Sequence, residues 1–225
     1  MSRESVVFVI GGSGYLGVEL TKKFKLDFDR VVSTYNSNPF ADGIKFNLLD
    51  YDDHKILIDI ANDYEEINVL FLATSKKSSL IYTLAPKSLS ESFDINIVAP
   101  HNLIKSFLPQ MIKKKYGRVI FFSSTKAVRG DVGVSAYAAS KASLDGYSRV
   151  FSKEHSKYNI TSNLISLGYF DGPLWDEIPL EKRKILLNEV PSKKLGDISD
   201  IYPIILGVIK SEYTSGSNIH IDGGI

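Results

Sequence analysis

Short β-branched runs recur along this chain of 225 residues, separated by stretches with helical periodicity. SVVFVI (Ser5–Ile10) is apolar at nearly every position, as a strand buried on both faces of a parallel sheet must be. GGSGYLG follows it, and Val18–Lys25 then reads as a helix. Further strands are predicted over Arg30–Thr34, Gly43–Phe46, Asn68–Ala73, Gly117–Ser123, Ile160–Ser166 and Asn218–Ile221. Helices are predicted near Asp52–Tyr64, over Ala136–Ser156 and over Asp200–Lys210. Leu89–Met111 reads as one long helix, with Pro100 a local irregularity and Pro109 near its end. Strands alternating with helices imply βαβ units, hence one α/β domain over residues 1–225 with a doubly wound parallel sheet and helices on both faces. The least regular stretch is Gly168–Leu195, rich in Pro, Trp and mixed charge.

Composition narrows the function classes. A hydrophobic content of 44% and a charged content of 24% are ordinary for a globular protein. A net charge of +1 gives no reason to expect nucleic acid or an acidic membrane surface as partner. The chain has no cysteine, which excludes disulfides, thiolate nucleophiles and cysteine-based metal sites. His54, His101, His155 and His220 are scattered without ligand spacing, so no metal is expected. No apolar run reaches the roughly 18 residues of a membrane span, and the N-terminus enters a strand without a signal-peptide layout. A cytoplasmic protein is the expectation.

The first chemical signal is the turn after the first strand. Gly11, Gly14 and Gly17 stand between strand and helix, where glycine lets backbone N–H groups approach a pyrophosphate and the helix N-terminus favours negative charge. A Rossmann-like dinucleotide site follows, with Gly11, Ser13, Gly14, Tyr15, Leu16 and Gly17 as candidate contacts. A tight turn that merely packs strand on helix would look the same. The second strand ends in Thr34, Tyr35, Asn36 and Ser37, with no carboxylate to repel a ribose 2′-phosphate. Tyr35, Asn36 and Ser37 are therefore candidate contacts, and NADP(H) is favoured over NAD(H). No Arg or Lys in this tip stands ready to clamp the phosphate, and a polar loop solvating the strand end fits as well.

The second signal is SAYAASK, which sets Tyr137 and Lys141 four residues apart on one helical face. An ammonium beside a phenol lowers the phenol pKa and makes a general acid for a carbonyl or a base for an alcohol. Such spacing also arises by chance. Here it joins Ser124, at the end of the fifth strand, and Asn96, in the long helix. With these four residues in this order the chain resembles the short-chain dehydrogenase/reductase family, in particular the single-domain branch that includes 3-oxoacyl-[acyl-carrier-protein] reductases. The likeness extends over nearly the whole chain, including PSKKLGDISDI and SGSNIHIDGG near the end.

The resemblance implies hydride transfer between a nicotinamide and a ketone or secondary alcohol, the substrate being a small molecule or a carrier-linked carbonyl. By the same resemblance Tyr137 would protonate the forming alkoxide. Lys141 would lower the tyrosine pKa and bind the nicotinamide ribose. Ser124 would orient the carbonyl oxygen, and Asn96 would bend its helix and hold a relay water. Further cofactor contacts are implied at Asn47, Leu48, Ala73, Gly168 and Phe170, besides Tyr137 and Lys141. Several positions depart from the family pattern. Tyr15 replaces a glycine, Phe71-Leu72-Ala73-Thr74 replaces Asn-Asn-Ala-Gly, Asn47 replaces an adenine-side Asp, Leu167-Gly168 replaces Pro-Gly, and Gly172 replaces a carboxamide-binding Thr.

Gly168–Leu195 is expected to form a lid at the carboxyl ends of the strands, with Tyr169, Phe170, Leu174, Trp175 and Ile178 as its apolar face and EKRKILLNEV as a surface helix. Lys76, Lys77, Lys126 and Arg129 flank the same cleft; solvated loop charges are favoured over an anion site. The two long helices carry apolar residues on more than one face, Phe93, Ile97, Leu103 and Phe107 on one and Leu144, Tyr147 and Phe151 on the other, which suggests a homodimer or homotetramer. Two other functions stay open at this point. GxxGxxG also suits a sugar-nucleotide epimerase or dehydratase, though the chain is short for one. The lost Asn-Asn-Ala-Gly motif suits a non-catalytic dinucleotide sensor.

Overall fold

The structure, a computed structural model, describes residues 4–74 and 79–225, without the side chain of Leu174. Lys76 and Lys77 lie outside the described residues. Seven strands form one sheet: β1 (Ser5–Ile10), β2 (Arg30–Tyr35), β3 (Gly43–Lys45), β4 (Glu66–Phe71), β5 (Gly117–Ser124), β6 (Ile160–Leu167) and β7 (Asn218–Ile221). Their order is β3-β2-β1-β4-β5-β6-β7 and every pairing is parallel. The order turns back between β1 and β4, whose ends stay in register at Ile10↔Phe71. Ligands of such sheets bind in the crevice that this reversal opens at the carboxyl ends.

The helices are α1 (Tyr15–Phe24), α2 (His54–Ala61), α3 (Pro86–Phe93), α4 (Ala99–Lys114), α5 (Lys126–Arg129), α6 (Ser135–His155), α7 (Pro173–Asp176), α8 (Leu180–Glu189) and α9 (Ile198–Lys210). Successive strand side chains point to opposite faces, so an all-apolar strand feeds two cores. Val6, Phe8 and Ile10 of β1 pack with Leu57 of α2, Leu103 and Phe107 of α4, and Leu144 and Phe151 of α6. Val7 and Val9 pack on the other face with Leu20 and Phe24 of α1 and Ile201 and Ile205 of α9.

Several element ends differ from the sequence-based expectation for physical reasons. Helix α1 begins at Tyr15, three residues before Val18, because the glycine turn itself enters the helix with Gly14 as N-cap. Strand β4 starts and ends two residues earlier than expected, since the N–H groups of Leu72 and Ala73 both turn to the Ile10 carbonyl, at 2.9 and 2.8 Å. Helix α9 starts at Ile198, where a capping box ties Asp197 and Asp200 to each other's backbone. Neither α5 nor α7 was expected.

The long helix predicted over Leu89–Met111 is three pieces. Helix α3 opens on Pro86, a π-helical turn spans Asp94–Val98, and α4 follows. Pro100 carries no N–H, so the α-helical bond to the Asn96 carbonyl cannot form. The apolar faces attributed to these helices are largely consumed within the chain. Leu103, Phe107, Leu144 and Phe151 belong to the core, and Ile97 and Tyr147 pack against it. Leu89, Val98 and Val150 are the large apolar residues that these segments expose. The argument for a subunit contact from Phe93, Ile97, Leu103, Phe107, Leu144, Tyr147 and Phe151 is thereby corrected for all but the half-buried Phe93.

Candidate active site

The four catalytic candidates come from three elements that meet at one end of the sheet. Ser124 closes β5, Tyr137 and Lys141 sit on adjacent turns of α6, and Asn96 lies in the π-helical turn. Asn96 is buried, and its side-chain amide donates to the Ser140 hydroxyl at 2.8 Å. Lys141 is buried too, and its Nζ donates to the Phe122 carbonyl of β5 at 2.7 Å. Ser124 Oγ accepts from the Lys126 N–H at 3.3 Å.

Burial sets the protonation of this site. Desolvation pulls the Lys141 ammonium down from its ordinary value to about 8. It pushes the Tyr137 phenol up, against the Ser124 hydroxyl beside it, which favours the phenolate. The expectation that Lys141 lowers the tyrosine pKa is therefore corrected for the protein without cofactor. The loss of water outweighs the nearby dipole, while the ammonium is engaged with the Phe122 carbonyl. A phenol held protonated is an acid before it is a base.

A groove of about 340 Å³ lies at the glycine turn and the carboxyl ends of β2 and β4. Of the residues expected to hold a dinucleotide, Gly11, Ser13 and Gly14 line it from the turn, Tyr35, Asn36 and Ser37 from the end of β2, Asn47 and Leu48 from beyond β3, and Ala73 from beyond β4. Gly11 has φ +83°, and a Cβ there would come within 2.5 Å of the Ala73 nitrogen. Its N–H donates to the Thr34 hydroxyl at 3.1 Å. Gly14 differs: with φ −72° a Cβ would meet nothing closer than the Gly11 carbonyl at 3.8 Å. Backbone geometry does not require glycine there, so the open space above an uncapped helix N-terminus is what fits a phosphate. Tyr15 and Leu16 contribute their backbone in the first turn of α1, while the Leu16 side chain packs into the core.

Gly11→Ala is expected to destabilise the fold by at least about 2 kcal/mol, from positive φ and collision with Ala73. Gly14→Ala is expected to cost about 1 kcal/mol or less and yet to weaken dinucleotide binding by about tenfold. Thermal melts and a fluorescence titration of NADPH read the two effects separately. Wild-type affinity in Gly14→Ala would show that this turn is not the phosphate cradle.

Other predicted contacts do not line the groove. A Cβ on Gly17 would lie 2.6 Å from Gly12 Cα, so Gly17 serves the close approach of α1 to the turn. Gly168 packs on Asp222, and its N–H donates to the Ile221 carbonyl at 3.0 Å. Phe170 lies against Gly196 and packs on the core. Tyr15 rests its ring on Gly172, so two departures from the family pattern answer each other, a large residue where the family has glycine and glycine where it has threonine.

The groove also includes residues not singled out from sequence, among them Asn38, Leu49 and Ile95, and it takes in Leu72 and Thr74 of the altered motif after β4. Ile95 has no recognisable signal. It is next to Asn96 in the π-helical turn, but Asn96, Ser124, Tyr137 and Lys141 themselves are not among the residues lining the groove. No Lys or Arg is among the described residues lining the groove.

Near the mouth, Tyr169 and Trp175 meet with ring centroids 5.6 Å apart, and Trp175 is buried. Helix α8 is a surface helix that buries no residue and exposes Leu180 and Ile185. Lys126 pairs with Asp131 at 2.6 Å and Arg129 with Glu189 at 3.5 Å, so both described rim cations are matched by acids. Among the described residues there is no cluster of metal-ligating side chains and no helix long and apolar enough to cross a membrane.

The family model for short chain dehydrogenases matches residues 5–183. The chain belongs to that family. It is an oxidoreductase that works on a carbonyl or alcohol with a nicotinamide dinucleotide. It is 25% identical over 226 residues to a 3-oxoacyl-[acyl-carrier-protein] reductase of Thermotoga maritima, covering 98% of this chain and 91% of that one. A reductase of the same name from Mycobacterium avium is 25% identical over 227 residues, covering 97% and 89%. A crystal structure assigned to a betaketoacyl-ACP reductase superposes with a TM-score of 0.84 at 18% identity, covering 99% and 98%, and shares the fold. This short-chain dehydrogenase thus matches such reductases almost end to end, and nothing in the match favours a sugar-nucleotide enzyme.

Proposed function

We propose that the chain is an NADP(H)-dependent reductase of a small ketone or a 3-oxoacyl thioester, working in the cytoplasm as a homo-oligomer. The observation that supports this reading is the joining of Asn96, Ser124, Tyr137 and Lys141 across α6, β5 and the π-helical turn, by the Asn96–Ser140 and Lys141–Phe122 hydrogen bonds and by the Ser124 hydroxyl beside the Tyr137 phenol. The bound cofactor would supply or accept the hydride. Gly11, Ser13 and Gly14 hold its phosphates, and Asn47 and Leu48 face its adenine side. Tyr35, Asn36 and Ser37 hold the ribose 2′-group with neutral donors. Ser124 donates to the substrate carbonyl oxygen and Tyr137 protonates that oxygen as charge builds on it. Lys141, buried and with its pKa pulled to about 8, can pass a proton at neutral pH that a solvated lysine would keep. Reduction is the direction that the protonated phenol supports.

The 3-oxoacyl thioester is suggested by what the relatives from Thermotoga maritima and Mycobacterium avium are called. Residues 168–195 act as the lid, with Tyr169, Phe170, Trp175 and Ile178 toward the substrate side. A second subunit is placed on the exposed side of α6, where Gly146 leaves open space and Val150 is exposed.

The test is loss of NADPH absorbance with 3-oxoacyl thioesters and simple ketones, alongside titration of NADPH against NADH. Turnover with tighter NADPH binding is expected. Tighter binding of NADH would overturn the cofactor assignment, and no turnover of any carbonyl would overturn the reductase. A monomeric mass by sedimentation would remove the second subunit.

A further inference from the structure

The hydrogen bonds of the candidate active site converge on a residue outside the four. Ser140 is completely buried on α6, between Tyr137 and Lys141. Its hydroxyl accepts from the Asn96 side-chain amide at 2.8 Å and donates to the Tyr137 carbonyl at 2.9 Å. A hydroxyl has one proton and two lone pairs, so it satisfies both partners at once. Back-bonding from serine to the carbonyl three residues earlier is common within helices and by itself would mean little. The bond to Asn96 is different, because it crosses 44 residues of sequence, from the π-helical turn to α6. The same turn of α6 is held from two more sides. Ser143 Oγ donates to the Ser140 carbonyl at 2.7 Å, and Ser123 Oγ on β5 donates to the Lys141 carbonyl at 3.3 Å.

We propose that Ser140 is a positioning residue of the reductase, tying the π-helical turn that carries Asn96 to the turn of α6 that carries Tyr137 and Lys141. It touches neither substrate nor cofactor. This rests on the catalytic reading of Tyr137 given above. An apolar replacement removes this acceptor from the Asn96 amide and with it the side-chain tie between the π-helical turn and α6.

Steady-state kinetics of Ser140→Ala, Ser140→Cys and Ser140→Thr, with Tyr137→Phe beside them, test the proposal. Ser140→Ala is expected to lower kcat about tenfold or more, to keep NADPH affinity within about twofold, and to move the limbs of the pH profile of kcat. A larger solvent deuterium isotope effect should accompany the loss, as proton delivery becomes limiting. Ser140→Thr keeps the hydroxyl and is expected to recover most of kcat. Should Ser140→Ala fail to fold, the near-isosteric Ser140→Cys carries the same expectation, since a thiol is a poor acceptor for the amide. A folded Ala or Cys variant with wild-type kcat, pH profile and isotope effect would overturn the positioning role. Loss of thermal stability with an unmoved pH profile would do the same and leave Ser140 a packing residue. Tyr137→Phe keeps the two readings apart, because only its activity bears on whether Tyr137 is catalytic.

Discussion

Replacing Tyr137 by phenylalanine is expected to lower turnover by at least about 10³-fold while cofactor affinity stays within about threefold. The substitution removes one oxygen and keeps the ring that the site buries. What is lost is the acid that protonates the substrate oxygen, and no neighbour replaces it. Ser124 is a far weaker acid. Lys141 directs its Nζ to the Phe122 carbonyl. The groove proposed for the dinucleotide is built by the glycine turn and the ends of β2, β3 and β4, and Tyr137 does not line it, so binding should survive. Stopped-flow turnover and fluorescence titration of NADPH on one preparation give both quantities. Turnover within tenfold of wild type would rule out Tyr137 as the acid. Loss of binding together with turnover would mean that the phenol holds cofactor more than it moves protons.

Lys141→Met should abolish activity yet leave the protein at least as stable at neutral pH. The lysine is buried, and burial pulls its pKa from 10.5 to about 8. A cation whose folded pKa lies below its unfolded value costs stability wherever both states are protonated. Below pH 8 that cost is present in full. Between pH 8 and 10.5 the folded protein releases its proton first, the unfolded chain binds more protons, and stability rises with pH. Above 10.5 the cost is gone. The shift corresponds to a change on the order of 3 kcal/mol. Methionine has no such term and fills an apolar site of similar length. The wild type should therefore gain on the variant by several degrees in Tm as pH rises from 7.5 to 10. Tyr137, whose pKa is raised, contributes with opposite sign above pH 10, and it cancels in the difference because both proteins carry it. A Tm difference that is flat across this range would show that Lys141 is not desolvated as described.

These expectations draw unequally on sequence and on structure. The order of strands and helices was legible because burial on both faces demands continuous apolar runs, and β1, β5 and β6 have them. The glycine turn was legible because Gly11 and Gly17 meet steric demands that few other residues meet. The four catalytic candidates were legible as a resemblance, and the structure joins them across α6, β5 and the π-helical turn. The break in the helix over residues 89–111 was only hinted at by Pro100. Pro100 removes the bond to the Asn96 carbonyl, but that the turn is π-helical and that Asn96 reaches a serine 44 residues away is encoded by no local pattern.

The same holds for the apolar residues of α4 and α6. In sequence they read as extra faces, and in the fold they pack on the sheet, because a helix laid across a twisted sheet presents more than one stripe to it. The packing of Gly168 on the final turn and of Phe170 on Gly196 was likewise not legible in the sequence. The sequence by itself determined which strands must be buried and which residues are the candidates for proton transfer and phosphate binding, since those follow from residue type and spacing. Only the tertiary structure decided the direction in which Tyr137 and Lys141 are shifted and the join between Asn96 and Tyr137. Desolvation and long-range hydrogen bonds depend on what surrounds a residue in space, and the neighbours along the chain do not set that.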